Sequence, residues 1–414
     1  MALFGTIILY SFIFLSIYVQ IFYFVTFLEN KKKIVIRKGE TKLSKYPKVT
    51  ITVPCWNEEK TVYKTVRSLL SLNYPKDKLQ IFLVDDGSTD HTLDVINRFA
   101  KYSNIKVFHK ENGGKFTALN LGLEKTETEF FGCLDADSVA DPESLVRIMS
   151  YFEKDKDIMA VAPSVIVHNS NNFVQKAQKA EYYMGVYFKK MLGFLGAIDV
   201  TPGPLTIFRK KVFDELGGYR HAHSTEDMEI AYRMQRHHYK IEHCNDAFVY
   251  TNTPSTISKL YRQRVRWIFG FMNNTIDYRD VIFKEQYGNF SVLALPTRII
   301  SVMAVGYLSV RTLYLFFNFI YSKIIVYKTV GLNLHAKAIA FDPFFINTHA
   351  LFFLFIFAYF FVFFSMLFGR RMTEGKWGLS MGMFYYFPVF SLVAPFWLAK
   401  AAFDTVLKRK PAWR

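Results

Sequence analysis

The sequence predicts an α/β protein with a mainly parallel sheet, set between membrane-spanning helices. Three patterns predict it. Through the middle of the chain, short apolar runs alternate with amphipathic ones. Acidic clusters close several of the apolar runs, and long apolar blocks flank the middle on both sides. Alternating strand and helix signals argue for a parallel sheet covered on both faces. In such sheets ligands bind beyond the carboxyl ends of the strands.

The elements follow in chain order. Phe4 to Leu28 is almost continuously apolar and long enough for a bilayer, which takes about 20 residues. It shows no small-residue cleavage site, so residues 1–30 read as a transmembrane anchor rather than a removed signal. Lys31, Lys32 and Lys33 follow and place that end in the cytoplasm. Residues 42–258 then read as a cytosolic domain. "VTITVPC" (Val49 to Cys55) predicts a strand and "EEKTVYKTVRSLL" a helix. "LQIFLVDD" predicts a second strand, with "TLDVINRF" a helix behind it. "IKVFHK" predicts a third strand, "FTALNLGLEKT" a helix and "FFGCLDAD" a buried strand. Residues 259–290 read as interfacial helices.

Three apolar blocks follow: Val292 to Tyr321, Phe344 to Phe368 and Leu379 to Ala399. They give a membrane region of two to three spans over residues 291–402, with a basic tail at 403–414. Pro388 and Pro395 interrupt the last block. It reads either as a full span or as a broken segment with both ends inside. Only Arg298 and Arg311 carry charge in the first block, too few for the paired intramembrane charges of a transporter.

Composition narrows the partners. The 414 residues carry a formal net charge of +17, which suits nucleic acid, an anionic membrane surface or phosphorylated substrates. The 43 Phe concentrate toward the two ends, with the 25 Tyr spread along the chain, which favours the last two; no nucleic-acid partner is expected. Cys55, Cys133 and Cys244 form no CxxC pair, so neither a disulfide framework nor a zinc site is implied.

Five motifs carry candidate chemistry. Asp135-Ala136-Asp137 ends an apolar strand, where both carboxylates can reach one cation; Mg²⁺ or Mn²⁺ held by two carboxylates and a diphosphate is the usual oxygen-ligand arrangement. A solvated turn is the plainer account. "VDDGSTD" (Val84 to Asp90) places Asp85 and Asp86 at a strand end before a tight turn and helix caps. "ENGGKFTALN" sets Gly113 and Gly114 before a helix that opens on Lys115, a natural phosphate site, though not a P-loop. "STED" puts Glu226 and Asp227 at a helix start, where capping is the default and a general base the alternative. "LYRQRVRWIFGF" crowds Arg262, Arg264 and Arg266 against Trp267. A guanidinium pairs well with phosphate, and an indole can stack on a sugar. Gln263 lies on the same helical face as Arg266. An interfacial basic helix is the alternative. His221 and His223 read as loop residues.

No motif is specific alone, but their order is. "VPCWNEE", "VDDGSTD", "GGK…ALN", "DAD", "TED" and "QRVRW" across one domain, with membrane segments before and after, resemble the processive membrane-embedded family 2 glycosyltransferases. These are synthases of cellulose, chitin, hyaluronan and bacterial poly-β-1,6-N-acetylglucosamine; length and anchor layout look most like the last. The resemblance implies a GT-A type nucleotide-sugar-binding fold. It implies that Asp85 and Asp86 hold the uridine end of a UDP-sugar with Asn57 and Glu58 nearby, and that Lys115 sits beside the nucleotide. Asp135 and Asp137 are then the metal and diphosphate ligands. Asp227, beside Glu226, is the base. Gly203, Gln263, Arg266 and Trp267 serve the acceptor and diphosphate. The implied reaction is metal-dependent, inverting transfer from a UDP-sugar, best UDP-N-acetylglucosamine, to a growing polysaccharide at the cytoplasmic membrane. Single transfer to a membrane lipid, or a non-catalytic subunit of a polysaccharide export complex, are the alternatives; export or accessory subunits are possible partners. Trp56 departs from the usual Tyr or small residue. There is one N-terminal span where some relatives have two. No cyclic-dinucleotide receptor domain follows, so control of that type is not expected.

Overall fold

A computed structural model describes residues 2–36, 39–330 and 350–409. Eight strands form one sheet: β1 (Val49–Cys55), β2 (Leu79–Asp86), β3 (Ile105–Lys110), β4 (Phe130–Cys133), β5 (Val139–Ala140), β6 (Ile158–Val167), β7 (Ile207–Arg209) and β8 (Lys240–Thr251). Their spatial order is β3-β2-β1-β4-β7-β6-β8-β5. The first four are mutually parallel. β7 runs antiparallel to both neighbours, β6 and β8 are parallel, and β5 is an antiparallel edge. The expectation of a mainly parallel sheet holds, and all four strands read from the sequence are present.

Two layers of helices cover the sheet. One face buries Val62, Val66 and Leu69 of α2 (Val62–Leu70), Ile96 of α3 (Thr92–Asn97), and Leu145 and Ile148 of α5 (Ser144–Lys154). The other buries Leu119 of α4 (Lys115–Glu124), Val212 of α7 (Lys211–Leu216), and Ile230 and Met234 of α8 (Glu226–Arg236). Strand alternation sorts the side chains: Phe130 and Ile207 join the first core, while their neighbours Phe131 and Phe208 join the second. The three cysteines are free and buried.

Among the described residues, four helices are long and apolar enough to cross a membrane: α1 (Ala2–Asn30), α10 (Leu295–Val330), α11 (Ala350–Glu374) and α12 (Met381–Val406). Residues 344–349 of the expected second block and 410–414 of the basic tail lie outside the described residues. The last block is one continuous helix through Pro388 and Pro395, not a broken segment. Two helices of the soluble part carry the seam. α6 (Phe173–Phe194) packs on α11 and α12, and α9 (Ile257–Asp277) packs on α12. Contact with α6 is close enough to require glycine. A Cβ on Gly369 would stand 1.9 Å from the Tyr183 carbonyl oxygen, and one on Gly382 2.3 Å from that of Lys176.

Candidate active site

The chemistry-bearing side chains collect where β1, β2 and β4 end. β4 stops at Cys133, so Asp135 and Asp137 lie in the loop beyond the strand rather than on it. Asp86 builds the adjoining wall. Its carboxylate accepts from Lys110 Nζ (2.7 Å), Gly113 N (3.1 Å) and Gly114 N (2.8 Å). These bonds pin the glycine turn, and Gly114 at φ +90° lets the chain enter α4. Lys115, the first residue of α4, is thereby aimed at the strand ends. Its Nζ lies 2.7 Å from Asp135 Oδ1 and 3.0 Å from Glu226 Oε1. Burial alone would lower this ammonium, but Asp135 and Glu226 hold it well above the ordinary lysine range. Burial would likewise raise Glu226; Lys115 outweighs it and holds that carboxyl low. Gly203 closes over the pair: a Cβ there would sit 2.8 Å from Lys115 Nζ and 3.0 Å from Asp135 Oδ1. A cavity of about 340 Å³ opens beside this cluster, lined by residues 112–116, His221, Ser224 and Glu226.

Asp227 follows Glu226 at the start of α8. Burial, then the charge of Glu226, push its carboxyl up to about 6, against the pull of Lys115 and Arg266. Thr201 fastens its backbone, donating to the Asp227 carbonyl from N (3.1 Å) and Oγ1 (2.9 Å). The loop before it is strained. Ala222, His223 and Ser224 all hold φ between +42° and +64°, a region L-residues rarely occupy. α9 holds that loop: Arg266 Nη1 donates to the Ser224 carbonyl (3.1 Å), and His223 Nε2 meets Asp277 at 2.8 Å. His221 and His223 thus sit in or against the site.

The residues expected at the nucleoside are fastened to one another. Asn57 (φ +54°) accepts from Thr89 N at 2.8 Å, and its own N–H is bound by Ser88 Oγ at 3.0 Å. Glu58 N donates to Thr92 Oγ1 at 2.7 Å. Asp85 Oδ2 meets Ser88 N (3.3 Å) and His109 Nδ1 (2.7 Å), while its buried Oδ1 has no hydrogen-bond partner among the described residues. Asp86 is occupied by the chain's own donors, so of the two carboxylates Asp85 is the one with a buried acceptor oxygen to spare.

Asp137 tests the fit of a divalent cation. Burial, then Asp135 and Glu58, push its carboxyl up to about 6. Two acidic neighbours crowd it, an excess of negative charge that a hard cation relieves. No cluster of three or more His, Cys, Asp or Glu stands among the described residues, but Mg²⁺ or Mn²⁺ needs only one or two carboxylates when phosphate oxygens complete the shell. The donor set fits.

The three arginines of "LYRQRVRW" meet different fates. Arg262 is exposed. Arg266 grips the strained loop. Arg264 is buried, pairs with Glu181 at 2.6 Å and lies 4.3 Å over the Trp267 ring. Gln263 Oε1 is buried without a hydrogen-bond partner among the described residues. Burial pushes the Tyr182 phenol up to about 12, and the charges of Arg264, Glu181, Asp137 and Asp135 all act on it.

The structure adds residues that sequence reading missed. His109 and Lys110 lie in register with Asp85 and Asp86 on the neighbouring strand, a pairing that strand alternation could have suggested. Thr65 Oγ1 donates to the Ala136 carbonyl (2.9 Å), between the two aspartates. Glu181, far upstream of Arg264, gave no local signal.

The chain matches the model of the glycosyltransferase-like family 2 over residues 47–270, more than half its length, and belongs to that family. It is 32% identical over 265 residues to poly-beta-1,6-N-acetyl-D-glucosamine synthase of Staphylococcus epidermidis, covering 62% of this chain and 63% of the relative. It is 30% identical over 246 residues to beta-monoglucosyldiacylglycerol synthase of Nostoc sp., covering 58% and 53%. Each match spans less than two thirds of the relative's length. Among solved structures, mannosyltransferase PcManGT from Pyrobaculum calidifontis, in complex with GDP-Man and Mn²⁺, superposes with a TM-score of 0.57 at 16% identity, covering 96% of this chain and 99% of that one. That likeness is one of fold, and the fold is of GT-A type.

Proposed function

We propose that this chain transfers a sugar from a UDP-sugar, UDP-N-acetylglucosamine first, to a growing β-linked polysaccharide at the cytoplasmic membrane, with the catalytic part on the cytosolic side. One observation carries the reading: a half-buried lysine shared by Asp135 and Glu226, with Asp227 next to Glu226 and pushed up to about 6. That arrangement offers a cation for a diphosphate and a base for a hydroxyl in one place. The named activity of the Staphylococcus epidermidis relative supports the polymer and the sugar.

In this reading the donor lies beyond the ends of β1, β2 and β4, with Asp85 Oδ1 and the Asn57–Glu58 turn facing the nucleoside. Asp135 and Asp137 would hold Mg²⁺ or Mn²⁺, which supplies charge neutralisation at the diphosphate. Asp227 removes the acceptor hydroxyl proton. The freed oxygen attacks the anomeric carbon from the face opposite UDP, and the bond from that carbon to the diphosphate breaks. Lys115 and Arg266 stabilise the charge that collects on the leaving group. Gln263 Oε1 accepts from a sugar hydroxyl, and Trp267 stacks on the acceptor. A single displacement inverts the anomeric centre and needs no carboxylate nucleophile.

Full-length protein in lipid nanodiscs, given Mn²⁺ and a panel of UDP-sugars, tests this by UDP release and product size. Release with UDP-N-acetylglucosamine and a high-molecular-weight product is expected. A lipid bearing one sugar would move the assignment to single transfer, the reading favoured by the Nostoc relative. No release from folded protein across the panel would overturn the enzymatic reading in favour of a non-catalytic export subunit.

A further inference from the structure

Arg264 and Glu181 stand outside every role assigned above. Arg264 is 7% exposed, and its Nη2 donates to Glu181 Oε2 at 2.6 Å. Its guanidinium lies 4.3 Å from the Trp267 ring centroid and 5.7 Å from that of Phe390 on α12. Glu181 comes from α6. The pair therefore joins a helix of the seam, the α9 indole and a membrane helix at one point.

A buried ion pair is a poor stabiliser, because desolvation offsets most of the attraction. Well-packed apolar residues would fill the same space at no loss. What the pair supplies that they cannot is geometry. Arg264 and Trp267 are three residues apart on α9, so they share a face. The planar guanidinium takes one face of the indole and, through Glu181, fixes the ring. Trp267 is itself only half-buried. Gln263, four residues before it and on the same helical face, has an Oε1 that is buried without a hydrogen-bond partner among the described residues. A flat apolar ring with an unused acceptor on its helical face suits a sugar ring.

We propose that the Glu181–Arg264 pair positions the acceptor platform: Glu181 fixes Arg264, Arg264 holds one face of Trp267, and the other face receives the acceptor sugar. This rests on the acceptor role proposed above for Trp267. Arg264 and Glu181 are positioning residues, since neither meets the reacting atoms.

The test uses the full chain in lipid nanodiscs with Mn²⁺, UDP-N-acetylglucosamine and a short β-linked N-acetylglucosamine oligomer as the added acceptor. Arg264→Lys keeps the charge but loses the planar stack. The double variant Glu181→Leu/Arg264→Met removes the pair and keeps apolar filling, so its fold is expected to survive. In both, the KM for the oligomer should rise roughly tenfold, the scale of a desolvated cation–π contact. The KM for the UDP-sugar and its acceptor-free hydrolysis should not move. The oligomer-induced change in Trp267 emission, identified by its loss in Trp267→Phe, should require correspondingly more oligomer. An unchanged oligomer KM in both variants, while Trp267→Ala raises it, would overturn this inference and leave the acceptor site standing. An unchanged KM in Trp267→Ala as well would overturn the acceptor reading and the inference with it.

Discussion

The strand side and the α9 side of the candidate site are built on opposite terms. On the strand side most strong charges already have partners: Lys115 lies between Asp135 and Glu226, and Asp86 among Lys110, Gly113 and Gly114; Asp137, crowded by acids, and Asp85 Oδ1 are the exceptions. On the α9 side, the Gln263 amide oxygen is buried with no partner among the described residues. The difference follows from cost. A buried ion left alone costs several kcal/mol, so charges must be balanced before a ligand arrives. An unpaired amide oxygen costs only about 1–3 kcal/mol and can wait for a hydroxyl. In the proposed reading Lys115 exchanges partners on binding, whereas Gln263 acquires one.

The largest effect should come where the two sides meet. Asp227→Asn removes the proposed base but keeps the shape, and UDP release during transfer should fall by about 10²–10⁴-fold, the range for a lost general base. Calorimetric UDP binding should stay unchanged. Lost binding in a folded variant would reassign Asp227 to the donor side. Gly203→Ala then isolates the strand side. The new Cβ would stand 2.8 Å from Lys115 Nζ and 3.0 Å from Asp135 Oδ1. Displacement of those groups should cut kcat/KM by roughly 10²-fold while an acceptor KM holds. A change confined to the acceptor KM would mean that the two sides are wrongly divided.

The pH profile sharpens the comparison further. A base works only when deprotonated, and burial with Glu226 lifts Asp227 from 3.8 to about 6. The acid limb of kcat/KM should therefore bend near pH 6 rather than near pH 4, and fall about tenfold per unit below it. Asp137 is also pushed up to about 6. UDP affinity with Mn²⁺ over the same range separates the two, because the proposed reading gives diphosphate binding to Asp137 and not to Asp227. At the seam, Gly369→Ala sets a Cβ 1.9 Å from a backbone oxygen of α6. Overpacking of this kind costs about 1–3 kcal/mol, readable as a lower Tm in nanodiscs.

Legibility divides along a related line. β1 to β4 were readable because each is a short apolar run closed by acids or glycine. β7 is three residues long, and β8 buries His243, Asn245 and Asp246; neither presents a clean strand pattern. The motif residues were legible because strand ends and helix starts are local features. Their internal partners were not. Glu181 meets Arg264 across 83 residues and His109 meets Asp85 across 24, and only the assembled sheet and seam bring them together. The strain at residues 222–224 has no sequence signal either, since no glycine or asparagine occupies those positions.

Thr65 offers the smallest and most diagnostic effect. It is fully buried on α2, and its hydroxyl meets the carbonyl of Ala136, the peptide between Asp135 and Asp137. Thr65→Val preserves the shape and removes that one bond. Leaving a buried carbonyl short of a donor should cost about 1 kcal/mol, a small drop in Tm. A purely structural bond would end there. If the bond also sets the spacing of the two aspartates, then UDP affinity measured with Mn²⁺ should weaken several-fold, UDP affinity with EDTA should not, and Thr65→Ser should restore the first. The α9 side has no part in this bond, so the oligomer KM should stay level in both Thr65 variants. A shift there would mean that strand side and α9 side move as one body, and that the division drawn from their partners does not extend to their mechanics.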